Sequence, residues 1–380
     1  MKLTISRNEL NEAVQQTVKA VSSRTTIPIL SGIKIDADAQ GITLTASDTD
    51  ISIQSYIPAE TADKHIATVT QSGSVVLPAK FFAEIVRKLP HEEVNIDVGE
   101  RFQTVIHSGS SEIQIVGMDP EEFPVLPVLE EDKVFSVPGD LLKSMIRQTV
   151  FAVTTNESTP VLTGVLWNLQ DGVLKFLATD RHRLATSSIK IDADPDIRFG
   201  NVVISGKTLN ELSKIIPEQN TLIDIVVADS QVLFKLGNVL FFTRMLDGTF
   251  PDTTKIIPTS YKTELVLHTR ALGDALDRAY LLSREEKTNI VRLTTTENGN
   301  VEILSSSSEL GRMQEQLEAV ELTGEPLRIA FNSKYMLDVL KVTDSEQLFI
   351  GFTGPMSPII IKPRDHDNAL HLILPYRTTN

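Results

Sequence analysis

Cysteine is absent from all 380 residues, which excludes disulfides, thiolate zinc sites, iron–sulfur clusters and cysteine nucleophiles. The absence fits a reducing compartment. No stretch approaches the roughly 18 consecutive apolar residues that a bilayer-spanning helix needs, and Met1-Lys2-Leu3-Thr4-Ile5-Ser6-Arg7 lacks the apolar run of a secretory signal. A cytoplasmic location with no membrane partner is expected. Excess positive charge is lacking too: the formal charge is −14, which speaks against a polyanionic partner unless the cations are gathered locally. The 18 prolines and 19 glycines punctuate turns and form no linker. What is present, 41% hydrophobic and 23% charged residues, is globular in type, and the length suggests two or three domains.

A long, faint repeat organises the chain. A short apolar stretch followed by a lysine opening an amphipathic helix occurs three times, as Val76-Leu77-Pro78-Ala79-Lys80, Ile204-Ser205-Gly206-Lys207 and Ala330-Phe331-Asn332-Ser333-Lys334, with successive lysines 127 positions apart. Upstream, Leu10, Ala13, Val14, Thr17 and Val18 have counterparts in Leu142, Met145, Ile146, Thr149 and Val150, and in Leu272, Ala275, Leu276, Ala279 and Tyr280. Each set has the spacing of one buried helix face. Thr26-Ile27-Pro28-Ile29-Leu30-Ser31-Gly32 matches Thr159-Pro160-Val161-Leu162-Thr163-Gly164, with Thr288-Asn289-Ile290-Val291 as a weaker echo, and Phe123-Pro124 matches Phe250-Pro251.

Between the helices the chain alternates with period two, as in Val94-Asn95-Ile96-Asp97-Val98 and Ile113-Gln114-Ile115, the pattern of antiparallel strands with one buried face. The expected fold is α+β: three repeated domains, 1–125, 126–253 and 254–380, each with two helices on antiparallel sheet.

Six helices are expected at 7–21, 80–89, 139–153, 206–216, 270–282 and 333–341. Together they carry +5, so the remainder carries −19. Lys80, Arg87, Lys88, Lys143, Arg147, Lys207, Lys214, Arg278, Lys334 and Lys341 supply most of that positive charge. Two readings stand: solvated faces with lysines lying over the core, or equivalent helices forming one surface toward a polyanion, held without base readout.

No catalytic constellation emerges. Gly206-Lys207-Thr208 imitates the end of a phosphate loop, but Asn201 stands where the pattern requires glycine. The seven histidines show no paired-ligand spacing, and Asp365-His366-Asp367 reads as a polar turn. No cofactor or metal is expected.

One segment departs from the repeat. Ala178-Thr179-Asp180-Arg181-His182-Arg183-Leu184-Ala185 is richer in functional side chains than Ala46-Ser47-Asp48-Thr49-Asp50 or Leu304-Ser305-Ser306-Ser307, which points to work done by one copy alone. Together with Met1-Lys2-Leu3-Thr4-Ile5, with Arg24 ahead of Thr26-Ile27-Pro28-Ile29-Leu30, with Phe250-Pro251-Asp252 and with Leu374-Pro375-Tyr376-Arg377, this segment resembles the β sliding clamps, the processivity subunits of bacterial DNA polymerase III. The resemblance spans the whole chain.

That resemblance implies a non-catalytic head-to-tail homodimer, a ring of six domains around duplex DNA with helices lining the hole. It places Ile113 and Leu281-Leu282 at the contact between the first domain of one chain and the third of the other, although a plain core role fits these residues equally well. It adds Arg24 to the DNA-contacting cations. It also implies a hydrophobic groove between the second and third domains, which takes short peptides of the polymerase III catalytic subunit, the clamp loader, other polymerases and repair proteins.

Carried over residue by residue, the groove comprises Leu162, Thr179, His182, Arg183, Leu184, Pro251 and Ile256, closed by Met356, Pro358, Leu372, Leu374, Pro375, Tyr376 and Arg377. Apolar walls suit Leu and Phe anchors, and His182 and Arg183 are expected to orient the peptide. Two departures stand out: Arg181 replaces the glycine frequent in the family, and Thr378-Thr379-Asn380 runs past the usual end. The competing reading is a peptide-binding adaptor of the same fold that never encircles DNA.

Overall fold

A computed structural model describes residues 1–22, 25–126, 129, 134–218, 221–286 and 288–377. The six expected helices are present as α1 (Arg7–Thr17), α2 (Ala79–Lys88), α3 (Gly139–Val150), α4 (Gly206–Ser213), α5 (Thr269–Ser283) and α6 (Ser333–Val342). Lys80, Lys207 and Lys334 each stand second in their helix, which accounts for the regular interval between them. The helical faces read from periodicity are the buried ones: Leu10, Ala13, Val14 and Thr17 in α1, and Leu272, Ala275, Leu276 and Ala279 in α5. Leu142, Met145, Ile146 and Thr149 of α3 are equally buried.

The repeat extends to individual hydrogen bonds. Thr17 Oγ1 donates to the Ala13 carbonyl at 2.8 Å, and Thr149 Oγ1 to the Met145 carbonyl at 2.7 Å. A single 3₁₀ turn, Pro28–Ser31 in one copy and Pro160–Thr163 in the next, leads into a strand beginning at Gly32 or Gly164. Packing explains those glycines. A Cβ on Gly32 would meet Val76 Cγ1 at 2.4 Å, and one on Gly164 would meet Val203 Cγ1 at 2.7 Å. Among the described residues the third copy has no such turn, in line with its weaker echo.

By contacts the chain divides into two units, Met1–Asp140 with Glu211–Met245, and Leu141–Asn210 with Leu246–Asn380. This division cuts through the middle repeat, because sheets continue across the joints between copies. In the first unit an eight-stranded sheet joins Val239–Arg244 to Ile51–Pro58, with Phe241 opposite Ile53. In the second a nine-stranded sheet joins Arg183–Lys190 to Ala369–Ile373, with Leu184 opposite Leu372. Each unit adds a smaller sheet. One ends at the edge strand Ser111–Val116 and the other at Gly311–Glu318. All strand pairings among the described residues are antiparallel.

In the second unit α5 lies over strands Ile290–Thr295 and Asn300–Ser307, α6 packs against α5 and strand Ala369–Ile373, and their apolar faces form one core with Val291, Leu293, Val301 and Ile303. Among the described residues no helix is long and apolar enough to cross a membrane.

Candidate functional site

The segment singled out by composition is a three-residue turn between strands Val173–Thr179 and Arg183–Lys190. Its backbone is built by two side chains. Thr179 Oγ1 donates to the Arg183 carbonyl at 2.6 Å and accepts from the Arg181 N–H at 3.2 Å, while Asp180 Oδ1 accepts from the His182 and Arg183 N–H groups at 2.9 Å each. The first copy makes the same turn with Ser47 and Asp48, whose Oδ1 accepts from the Asp50 and Ile51 N–H groups at 3.1 and 2.9 Å. Such Asx turns tolerate a left-handed residue, here Thr49 (φ 81°) and Arg181 (φ 75°). The left-handed backbone explains why glycine suits the Arg181 position.

Arg183 behaves differently from expectation. Its Nε donates to Asp180 Oδ2 at 3.0 Å, Nη1 to Asp338 Oδ2 at 2.7 Å and Nη2 to the Phe151 carbonyl at 2.6 Å. The guanidinium also sits 4.6 Å from the centre of the Tyr335 ring and 5.3 Å from that of Phe151. With its side chain only 12% exposed and its donors committed internally, Arg183 is a positioning residue rather than one free to orient a peptide. It ties the turn to α6 and to the residue that follows α3. Burial, assisted by Asp180 and opposed by Arg183, raises the Tyr335 hydroxyl above its ordinary pKa, so the ring stays neutral.

Below the turn lies an apolar cluster of Leu162, Leu177, Leu184, Val203, Phe250, Ile360 and Leu372, edged by Val161, Leu246, Ile257 and Tyr261. Leu162, Leu184 and Leu372 are thus brought together as a buried floor. Thr179 is buried in the turn, and His182 is exposed with its ring stacked near Tyr335. Ile256 (45% exposed), Met356 (51%), Leu374 and Tyr376 (51%) present apolar surface to solvent. Pro251 and Arg377 are also exposed, and Pro358 and Pro375 half-buried. The chain beyond Ile373 is held by main-chain bonds from the Leu374 N–H to the His182 carbonyl at 2.8 Å and from the Tyr376 N–H to the Ala330 carbonyl at 2.7 Å. The cluster also holds Leu177, Ile360 and Tyr261, which the sequence did not single out, and it is Ile257 that packs against it while the neighbouring Ile256 is exposed. Alternation puts Leu177 on the face of the exposed Lys175, opposite Leu174 and Phe176, so it could not mark Leu177 as buried, and nothing local signals that the strand bearing Ile360 lies in the same sheet.

The predicted cations divide into two groups. Lys80, Arg87, Lys207, Lys334 and Lys341 are exposed and Lys143 half-buried, and none of them forms an ion pair among the described residues. Arg147 is paired with Asp344, Lys214 with Glu211 at 2.7 Å and Lys88 with Glu84 at 3.6 Å. Lys214 also lies just past the end of α4. Arg278 grips Glu315 of the edge strand Gly311–Glu318, its Nε donating to Glu315 Oε2 at 2.8 Å. That bond raises the arginine's pKa and lowers the carboxylate's. Arg24 lies outside the described residues. Ile113 is half-buried on the edge strand Ser111–Val116, while Leu281 is exposed and Leu282 half-buried near the end of α5.

His371 carries no assigned function but is fully buried, with no hydrogen-bond partner at Nδ1, and burial pushes its pKa down to about 4.

Comparison with known proteins covers the chain from end to end. Residues 1–127 match the N-terminal, 136–252 the central and 254–377 the C-terminal domain model of the DNA polymerase III beta subunit. A beta sliding clamp of Halalkalibacterium halodurans is 52% identical over 379 residues, and one of Bacillus subtilis 50% over 378, each match covering 100% of both chains. The crystal structure of the DNA polymerase sliding clamp from Bacillus subtilis superposes with a TM-score of 0.97 at 49% identity, covering 100% of this chain and 99% of that one.

Proposed function

Because the chain belongs to the DNA polymerase III beta subunit family and is a sliding clamp, we propose that it works as a homodimeric ring that encircles duplex DNA and tethers polymerases topologically. The observation that carries this reading is agreement with a solved clamp over the entire chain, all three domains in order. No bond is made or broken in this mechanism. The domains are 1–125, 126–253 and 254–380.

Lys80, Arg87, Lys143, Lys207, Lys334 and Lys341 face the DNA, supported by their lack of ion pairs among the described residues. Arg24, Lys88, Arg147, Lys214 and Arg278 add to the field, the last four attenuated by neighbouring carboxylates. Such a field attracts phosphate without reading bases and leaves the ring free to slide. The ring closes where the first domain of one chain meets the third of its partner, with Ile113 and Leu281-Leu282 at the contact. The two open sheet edges support this, since unpaired strands favour edge-to-edge pairing.

Partner peptides of the polymerase, the clamp loader and repair proteins dock on the apolar cluster. Leu162, Leu184 and Leu372 form the floor, with Pro251, Ile256, Met356, Pro358, Leu374, Pro375, Tyr376 and Arg377 around it. Thr179 and Arg183 hold the turn, and His182 faces the peptide. A cytoplasmic location belongs to the same proposal.

The test is loading onto a nicked circular duplex followed by linearisation. A topological clamp leaves through the cut ends, whereas retention on the linear product sinks the mechanism and favours the adaptor reading. The dimer is expected at about 84 kDa, twice the 42.0 kDa chain.

A further inference from the structure

The Asp180–Arg183 turn has a twin in the first unit. Across strands Gly41–Ser47 and Ile51–Pro58, Ser47 stands opposite Ser52, as Thr179 stands opposite Leu184. Ser52 then faces Phe242 across the joint as Leu184 faces Leu372, and the next strand sets Leu233 beside Phe242 as Ile360 beside Leu372. Leu30, Val76 and Phe123, at the repeat positions of Leu162, Val203 and Phe250, are buried together here as well. The joint between the first and second copies therefore has the frame of a groove, yet only a cavity of about 210 Å³ remains in it. Two features close it. Thr45 and Ser52 take the places of Leu177 and Leu184, Ser52 Oγ donating to Ser47 Oγ at 2.8 Å, so the apolar floor is split into two clusters. The second cluster, Val226, Leu233 and Phe242, is covered by the chain's own Leu126 and Leu129. In the other joint Ile256, which likewise follows shortly after a Phe-Pro pair, is left 45% exposed.

Resting on the groove reading above, we propose that the first joint is a second, latent peptide groove whose anchor place is filled from within by Leu126. An anchor supplied by the chain itself loses little freedom on docking, because Phe123, a few residues earlier, is already buried. A tether that short holds the side chain at an effective concentration of about millimolar, which a partner peptide at micromolar concentration does not match. Leu126 lines the remaining cavity together with Ser52 and Phe242, the residues that stand where Leu184 and Leu372 form the floor of the second joint. The repeat thus builds two grooves, and a polar floor with an internal anchor silences one of them.

The test uses the full-length protein and a fluorescein-labelled peptide with Leu and Phe anchors that carries a benzophenone, so that binding is counted by titration and located by photocrosslinking. The unaltered chain is expected to take one peptide and to crosslink only in the second unit. With Leu126→Ala and Ser52→Leu together, a second peptide should bind about tenfold more weakly than the first, because Thr45 keeps part of the floor polar. New crosslinks should then appear near Thr49 and Gln231, which line the same cavity. One peptide per chain in a variant that keeps its circular dichroism, or a second peptide crosslinked elsewhere, overturns the inference while leaving the groove of the second joint standing. Should that variant fail to fold, the cysteine-free background supplies a second measurement. Leu126→Cys should react with a maleimide about tenfold more slowly than Val125→Cys, at a position 94% exposed, and equal rates refute the internal anchor. An unaltered chain that binds no peptide removes the groove reading itself, and the latent groove with it.

Discussion

Replacing Arg183 by methionine probes the turn that organises the site. The substitution keeps an unbranched side chain of similar reach, but leaves Asp338 Oδ2, Asp180 Oδ2 and the Phe151 carbonyl without their donors. The three side chains involved are 12%, 13% and 21% exposed, so little water is at hand to replace what is lost. Removing one partner of a buried ion pair costs about 3–5 kcal/mol. Asp180 keeps two backbone N–H bonds on its other oxygen, which places the expected loss near the lower end, about 3 kcal/mol.

The chain's single tryptophan makes the assay selective. Trp167 is buried and stacked on Phe176 at 3.9 Å within the same contact unit. Its fluorescence in urea, at fixed protein concentration, reports the unfolding of that unit. With a slope of roughly 1–3 kcal/mol per molar, the midpoint should fall by about 1 M or more. In a cycle with Asp338→Leu the double variant should recover about 2 kcal/mol of the summed single losses, because Asp338 is then no longer a buried carboxylate without its donor and only Asp180 and the Phe151 carbonyl face the vacated space. A single-variant loss below about 1 kcal/mol, or strictly additive losses, would falsify the claim that this guanidinium positions the turn.

Further outcomes follow from the same geometry. His371 is neutral in the folded state down to about pH 4, whereas an unfolded chain protonates it near 6.5. Its depressed pKa therefore removes stability as pH falls through that window, by up to about 1.4 kcal/mol per unit. His371→Leu should flatten the pH dependence of the Trp167 transition between pH 6.5 and 4, and an unaltered profile would contradict the assignment. Gly164→Ala forces a Cβ to within 2.7 Å of Val203 and Leu246 side-chain carbons, so a loss of about 1–3 kcal/mol is expected in the same assay. Ile256→Ala should weaken anchor-peptide binding with less than about 0.5 kcal/mol change in stability, because that side chain is exposed. Ile257→Ala should lower both; equal behaviour of the two variants would show that the rim is misassigned.

The threefold repeat was legible because each copy must bury the same helical face on the same kind of sheet. That demand recurs as Leu10, Leu142 and Leu272, and as Gly32 and Gly164 where no Cβ fits. The distinct character of residues 178–185 was legible too, since a turn shared with Ser47-Asp48 needs none of the extra charge that Arg181, His182 and Arg183 bring. Spacing could not show what those charges touch. Arg183 meets Asp338, 155 positions away, only because strand Arg183–Lys190 pairs with Ala369–Ile373 and α6 lies against it. Ile360 joins Leu184 on one floor for the same reason.

Local periodicity thus determined the elements, their buried faces and their repetition, because these depend on interactions within a few residues. Which cations remain unpaired among the described residues, as Lys80 and Lys334 do, and which are claimed, as Arg278 is by Glu315, was decided by long-range packing. Charge compensation depends on atoms a few ångströms apart in space, and sequence distance carries no measure of that.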